Sequence, residues 1–345
     1  MPQHPHAIRT EKALDEVLTQ PDAALTAFIG TVRSPLVVLG AGGKMGPTLC
    51  VLARRAAEAA GHDLDILAVS RFSDDAKRRW LEAHGVRTQV CDVMDRTALA
   101  SLPDASDVIY LVGLKFGTAH NPALTWAVNT LAPAYVAERY ASARIVALST
   151  GNVYPMTPVA QGGSVESDPL TPLGEYANAC VARERVFEYH AQRNGTPMVL
   201  VRLNYAVDLR YGVLVDLAQK IAAGQPVDVT MGHLNCIWQG DANAMILRAL
   251  ALAASPPTPL NLTGPAVLSV QDLALRLGVL LGQPVHLTGE EAPTALLSNP
   301  AFACRALGPP STSIDTMLRW TADWIRHGGS TWNKPTHFQT RDGQY

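Results

Sequence analysis

Between an apolar run and a helical stretch, the segment LVVLGAGGKMGPTL sets Gly40, Gly43 and Gly46 at intervals of three. That spacing suits a pyrophosphate. The first glycine allows a tight turn, the second lets backbone approach the phosphates, and the third packs the following helix against the strand. The helix N-terminus then faces the negative charge. Lys44 and Met45, inside the same loop, join the glycines as dinucleotide contacts. A lone glycine triplet also fits an ordinary turn, so the flanking elements decide.

Further groups sit where neighbouring strands should end. In an NAD-binding unit an acid some 20 residues or more past the glycines holds the ribose 2′-hydroxyl. Here the second apolar run ends DILAVSRFSDD, with Ser70 and Arg71 at its tip and no carboxylate before Asp74. A cation and a hydroxyl suit the 2′-phosphate of NADP; the alternative is NAD, with Arg71 a solvated loop residue. The third run ends Cys91-Asp92-Val93, where Asp92 can meet the adenine amino group or cap a turn. In VGLKFGTAHN, Lys115 stands between Gly113 and Gly117, as on a loop that touches a ligand, or as an exposed loop lysine.

The elements that would position these groups alternate. Short runs rich in Val, Ile and Leu at 36–39, 66–70, 89–92, 108–112, 144–149 and 198–203 read as strands covered on both faces. Helical stretches at 46–60, 74–83, 124–140 and 175–192 fall between them. The expected fold is α/β, a Rossmann-type doubly wound parallel sheet with a smaller C-terminal α/β substrate-binding part. Later helices are expected at 213–223, 241–254, 269–281 and 314–326, and short strands at 227–230, 260–262 and 285–288. This divides the chain into a helical extension (1–34), a dinucleotide-binding domain (35–205), a substrate-binding part (206–327) and a tail (328–345), pinned to the surface or disordered.

Composition excludes other classes. The 345 residues are 48% hydrophobic and 17% charged with net charge −2, which offers no broad field for nucleic acid or anionic lipid. The five cysteines are scattered and the histidines show no metal-ligand spacing. The N-terminal segment lacks a secretory pattern, and no run of about 18 apolar residues occurs. The expectation is a soluble cytoplasmic protein without a metal.

Further segments bring a resemblance. Asn129 lies in WAVNTLAPAYVAE, and LSTGNVYP, EYANACVARE, LVRLNYAV and CIWQGDANA follow in order. With the glycine loop, they make the chain similar to the extended short-chain dehydrogenase/reductase family, its NAD-dependent epimerase/dehydratase group, over roughly residues 35–325. The resemblance implies Thr150 as the catalytic hydroxyl, Tyr176 as the catalytic tyrosine, Glu184 as a later acid and Asn129 beside the cofactor. It further implies a dimer through the helices at 124–140 and 175–192. Asn152 and Asn204 fall at substrate positions.

The departures are informative. The family's tyrosine is followed four residues on by a lysine that lowers the phenol pKa. Here that position is Cys180. Another cation replaces it, with Lys115 the candidate; or the proton is handled differently; or the chain binds a dinucleotide without reacting, as a regulatory or partner protein. Arg183 and Arg185, on the same helix, are expected to face solvent or a partner. Gly151 and Asn152 stand where dehydratases carry Asp-Glu, which disfavours dehydration. The arginine that holds a nucleotide-sugar diphosphate is missing from TMGHLNCIWQ. Arg210 can bind a carboxylate or phosphate, Tyr211 and Trp238 can stack on a sugar or pack as core, and the segment carrying Glu290, Glu291, Thr294 and Ser298 can close over the site. The expected activity is NAD(P)-dependent oxidation, reduction or epimerisation at a hydroxyl of a sugar or sugar acid.

Overall fold

The computed structural model describes residues 5–115 and 121–344. Its centre is a parallel sheet of seven strands: β1 (Leu36–Leu39), β2 (Ile66–Ser70), β3 (Arg87–Val90), β4 (Asp107–Tyr110), β5 (Arg144–Thr150), β6 (Met198–Leu203) and β7 (Thr258–Leu262). They lie in the order β7-β6-β5-β4-β1-β2-β3. The direction of winding reverses at β1, which opens a crevice between the carboxyl ends of β1 and β4. Alternation explains why β1 reads as continuously apolar. Leu36 and Val38 enter the core on one face, Val37 and Leu39 the core on the other.

On one face lie helices α1 (Glu11–Leu18), α2 (Ala23–Ile29) and α3 (Gly46–Ala59). The other carries α5 (Arg96–Ala100), α6 (Pro122–Arg139) and α7 (Glu175–Asn194), while α4 (Asp75–Ala83) follows β2. The helical extension is tied to the core on the α3 face and to a C-terminal core. Thr10 and Asp22 cap α1 and α2, accepting from Ala13 N at 3.1 Å and Leu25 N at 2.6 Å. Leu25 and Ile29 of α2 then pack under the sheet. Ile8, Leu14 and Leu18 join the C-terminal core with α8 (Val213–Ala222), α10 (Val270–Leu281) and α12 (Ile314–Arg326).

Several boundaries differ from the apolar pattern. β3 and β4 begin earlier than expected. β3 is an edge strand with partly exposed side chains, so hydrophobicity does not mark its ends. Asp92 already belongs to a turn, accepting from Met94 N at 3.0 Å. α9 (Gln239–Arg248) ends early in a 3-10 turn, Ala249–Leu252. The helices α5 and α11 (Ala301–Leu307) are too short to announce themselves by periodicity. The tail is pinned. Thr336 donates to Asp216, Arg341 to Thr294 O at 2.7 Å, and Phe338 is buried. Among the described residues no helix is long and apolar enough to cross a membrane.

Candidate active site

The glycine loop is shaped by contact. Gly40 has φ +83°, and a Cβ there would stand 3.0 Å from the Leu111 and Val112 backbone. A Cβ on Gly46 would come within 2.4 Å of Ala41 O, so only glycine lets α3 seat against the strand end. In front of the loop lies a cleft of about 480 Å³, lined by Gly40, Gly43, Ser70, Arg71, Asp92, Val93 and Gly113. Gly117, the second flank of Lys115, lies outside the described residues. Arg71 is 78% exposed, and its Nη1 stands 4.0 Å from Asp92 Oδ2, a solvated pair at most. Lys77 adds a second cation, donating to Gly42 O at 3.2 Å. The cradle, its length along three strand tips and its polar rim fit a dinucleotide.

A second cavity of about 270 Å³ adjoins this cleft and shares Leu111, Val112 and Gly113 with it. Thr150, Asn152, Tyr176, Lys115, Asn204 and Tyr211 all line it, so most of the residues expected to act on substrate do converge. Lys44 and Met45 also line this inner pocket rather than the dinucleotide cleft. The Lys44 side chain turns away from the cleft to donate to Ala206 O at 2.5 Å, with its ammonium 4.7 Å from the Tyr211 ring centre.

Tyr176 opens α7 and hydrogen-bonds with Thr150 and Cys180. Burial raises its phenol well above the ordinary value, and the neighbouring Cys180 adds to the rise. Thr150 ends β5; its Oγ1 donates to Asn152 Oδ1 at 3.2 Å and accepts from Asn152 N. Lys115 Nζ lies 6.0 Å from the Tyr176 ring centre, and burial lowers the Lys115 pKa to about 8. Burial raises the Cys180 thiol pKa, which argues against a nucleophilic role.

Several expectations require correction. Arg183 does not face solvent. Its guanidinium is buried in the wall of the inner pocket, with Nη1 donating to Leu148 O at 2.8 Å and Nη2 to Asn129 Oδ1. Burial opposes its charge, but Cys180, Tyr110, Tyr176 and Glu184 together more than offset that. Asn129 lies behind the cleft: besides Arg183 it binds both backbone groups of Leu114, at 3.2 and 3.4 Å, and so fixes the loop that carries Lys115. Arg210 is occupied by Asp15 at 3.0 Å and Asp208 at 3.6 Å, linking the N-terminal extension to the loop after β6. Trp238 is buried core, its ring centre 5.2 Å from that of Trp320. The expected lid is a fixed support as well. Ser298 is buried, Thr294–Ala295 pairs with Thr157–Pro158, and none of its four named residues lines the inner pocket.

The signal for Arg183 was present in the helix. Tyr176, Cys180 and Arg183 follow at steps of four and three, which keeps them on one face. Seven residues advance about 10.5 Å along the axis. Helical side chains lean toward the N-terminus, so a long arginine reaches back over that distance. Behind the pocket, Glu184 pairs with Arg202 at 2.8 Å, and Arg202 Nη1 donates to Tyr154 Oη at 2.7 Å. That buried lattice ties α7 to β6 and to the turn after β5. Thr336, from the tail, also lines the pocket and carried no signal in any motif.

Comparison with known proteins agrees with this architecture. The UDP-glucose 4-epimerase of Thermus thermophilus, solved with NAD, superposes with a TM-score of 0.69 at 17% identity, over 86% of this chain and 100% of that one. The dTDP-glucose 4,6-dehydratase of Streptomyces venezuelae gives 0.71 at 18%, over 85% and 97%. The UDP-glucuronic acid 4-epimerase of Bacillus cereus gives 0.69 at 17%, over 85% and 99%. A search of curated proteins by sequence returns no match. Residues 36–237 match the family described as NAD dependent epimerase/dehydratase family. That span is more than half of the chain, and the protein belongs to this family.

Proposed function

We propose that the protein oxidises, reduces or epimerises a carbinol of a monosaccharide-sized, carbohydrate-like substrate, with a nicotinamide dinucleotide as cofactor. The observation that carries this reading is the placement of Tyr176, with Thr150 as hydrogen-bond partner, in the inner pocket that adjoins the dinucleotide cleft. When bound, the nicotinamide supplies the hydride acceptor or donor. Thr150 and Tyr176 hold the reacting oxygen between them, and Tyr176 Oη moves its proton. The phenol is protonated at rest, which suits it to give a proton to a carbonyl. As a base it depends on nearby positive charge, and Arg183 and Lys115 supply this in place of the lysine that Cys180 replaces. Arg183 is the constant member, because a guanidinium stays charged at any working pH. Gly151 and Asn152 offer no acid to expel a hydroxyl, which argues against dehydration.

Ser70, Arg71 and Lys77 around the tip of β2 favour NADP over NAD. A homodimer through α6 and α7 fits the exposure of Leu124, Trp126, Leu131 and Tyr189, and sedimentation at equilibrium tests it. Five cysteines without a disulfide fit the reducing cytoplasm. The function is tested by following cofactor absorbance with sugars, sugar acids and their keto forms. Tight cofactor binding with no turnover on any of them would favour the non-catalytic reading instead.

A further inference from the structure

The C-terminal tail is anchored to one wall of the inner pocket after another. Trp332 N donates to Arg210 O at 3.0 Å, and its ring stacks on Tyr211, which lines the pocket, with centres 5.7 Å apart. Thr336 is itself a buried part of the pocket wall. Asp216 of α8 holds it twice, accepting from its backbone N at 2.8 Å and from its hydroxyl. Phe338 then fixes the tail in the C-terminal core. The chain nevertheless continues past that core. Arg341 donates to both Thr294 O and Thr294 Oγ1 at 2.7 Å. Gly343 crosses, backbone against backbone, the stretch Leu173–Gly174 that leads into α7 and Tyr176. Gly174 has φ +85° and Gly343 φ +77°, and a Cβ on Gly174 would collide with Gly343 O, one on Gly343 with Leu173 O.

These last anchors form a wall of a further cavity. It holds about 220 Å³ and is lined by Asn152, Tyr154, Leu173, Ala177, Arg341 and Gly343. Asn152 lines the inner pocket as well, so the two spaces meet there, and each has tail residues in its wall. The inner pocket holds about 270 Å³. Neither reaches the roughly 300–1,000 Å³ usual for small-molecule sites, whereas the two joined would fall within it. We propose that the tail, through Thr336, Arg341 and Gly343, is the specificity-determining wall of the substrate site: it keeps the outer cavity apart from the inner pocket and limits the substrate to the size of one sugar unit. This rests on the reading of the inner pocket as the substrate site. Burial of Phe338 suffices to hold the tail on the body, so the anchors beyond it serve the site. The fixed segment at Thr294 completes the wall, because it is the surface on which Arg341 is seated.

The test loosens the outer anchors without touching the dinucleotide cleft, which neither residue lines. Arg341→Ala removes the bonds to Thr294. In the double variant Arg341→Ala/Gly343→Val the backbone crossing cannot be kept either. UDP-glucose serves as a long probe, its binding measured by calorimetry with the dinucleotide present, and unchanged dinucleotide affinity reports an intact body. Wild type is expected to bind UDP-glucose weakly, and the double variant about tenfold or more tightly than wild type, with Arg341→Ala between them. Amide exchange at residues 174–178 should quicken in the same order. On any single sugar that the wild type turns over, KM should rise by a larger factor than kcat falls. Tighter UDP-glucose binding in the variants with no turnover of any sugar by the wild type supports the wall and counts against the catalytic reading alone. Wild-type turnover of single sugars with no gain in UDP-glucose binding by either variant overturns the inference and leaves the function standing. If the double variant fails to fold, the same comparison is decided on Arg341→Ala.

Discussion

The dinucleotide cleft and the inner pocket share a wall at residues 111–113 but are assembled on different plans. The cleft gathers residues from three adjacent strand tips: Gly40 and Gly43 after β1, Ser70 and Arg71 after β2, Asp92 and Val93 after β3. Each stands next in sequence to the strand that places it. The inner pocket takes Lys44 from the glycine loop, Lys115 after β4, Thr150 from β5, Arg183 from the middle of α7, Tyr211 after β6 and Thr336 from the tail. The charges differ accordingly. Arg71 at the cleft is solvated, whereas Lys44, Lys115 and Arg183 are largely withdrawn from water. The cleft therefore offers a ligand mainly backbone shape, and the pocket offers a small number of strong, costly charges.

The sharpest way to break this comparison is at Arg183. Arg183→Met should lower turnover by roughly a hundredfold or more, the scale of losing general acid–base assistance. Dinucleotide affinity should change little. Arg183 lowers the Tyr176 phenol, so its removal should move the pH optimum for oxidation upward. The Leu148 and Asn129 oxygens lose the guanidinium donor, at a cost of about 1–3 kcal/mol in stability by denaturant titration. Arg183→Lys, which keeps the charge, should recover part of the rate but not the stability. A Met variant with full turnover and an unmoved pH optimum would remove Arg183 from the reaction.

The contrast also explains what the sequence disclosed. The strands at 36–39, 66–70 and 198–203 and the glycine loop are local patterns, set by burial on both faces and by one close backbone approach at Gly46. That Thr150 and Tyr176 would meet in one pocket was legible through family resemblance, because both lie inside short motifs. Arg183 was misread because a two-turn separation looks too long until the lean and length of the side chain are counted. Arg210 is taken up by Asp15, and the choice between sugar stacking and core for Trp238 stayed open, because their partners, Asp15 and Trp320, are distant in sequence. Nothing local in the tail marks Thr336 as a wall of the site.

Lys115 sharpens the comparison at smaller scale. Lys115→Met should cost roughly tenfold in turnover, equivalent to about one pKa unit of help to the phenol, because Arg183 remains. Its lowered pKa, about 8, should make activity fall as pH rises through that value and the ammonium discharges. In the Met variant this limb should shift or flatten, as measured by a pH–rate profile. A loss equal to that of Arg183→Met would make Lys115 the principal cation.

On the cleft side the expected effect is confined to binding. A charge-assisted contact to a 2′-phosphate contributes about 1.5–3 kcal/mol. Arg71→Ala should therefore weaken NADP about tenfold or more and leave NAD nearly unchanged, by calorimetric titration. The mutation breaks only a solvated pair with Asp92, so stability should stay within about 0.5 kcal/mol. Tighter binding of NAD than NADP by the wild type would reverse the assignment.

The smallest effect is expected at Cys180, although the family pattern points there first. Its thiol is buried beside Tyr176, is held protonated by burial, and raises the phenol rather than lowering it. Cys180→Ala removes one sulfur and one weak hydrogen bond, a cost of about 1 kcal/mol in a well-packed site. Turnover should stay within about twofold, with the pH optimum unchanged or slightly lower, since the neighbour that raises the phenol is gone. Cys180→Lys should not restore a better enzyme. Its ammonium would enter a site where Arg183 stands one turn along the same face, and two buried cations would repel while the nearby Glu184 carboxylate is held by Arg202. The expected outcome is a lower melting temperature and no gain in rate. A Cys180→Lys protein that is as stable as wild type and markedly faster would show that the charge is still missing at that position, and that Arg183 does not supply it.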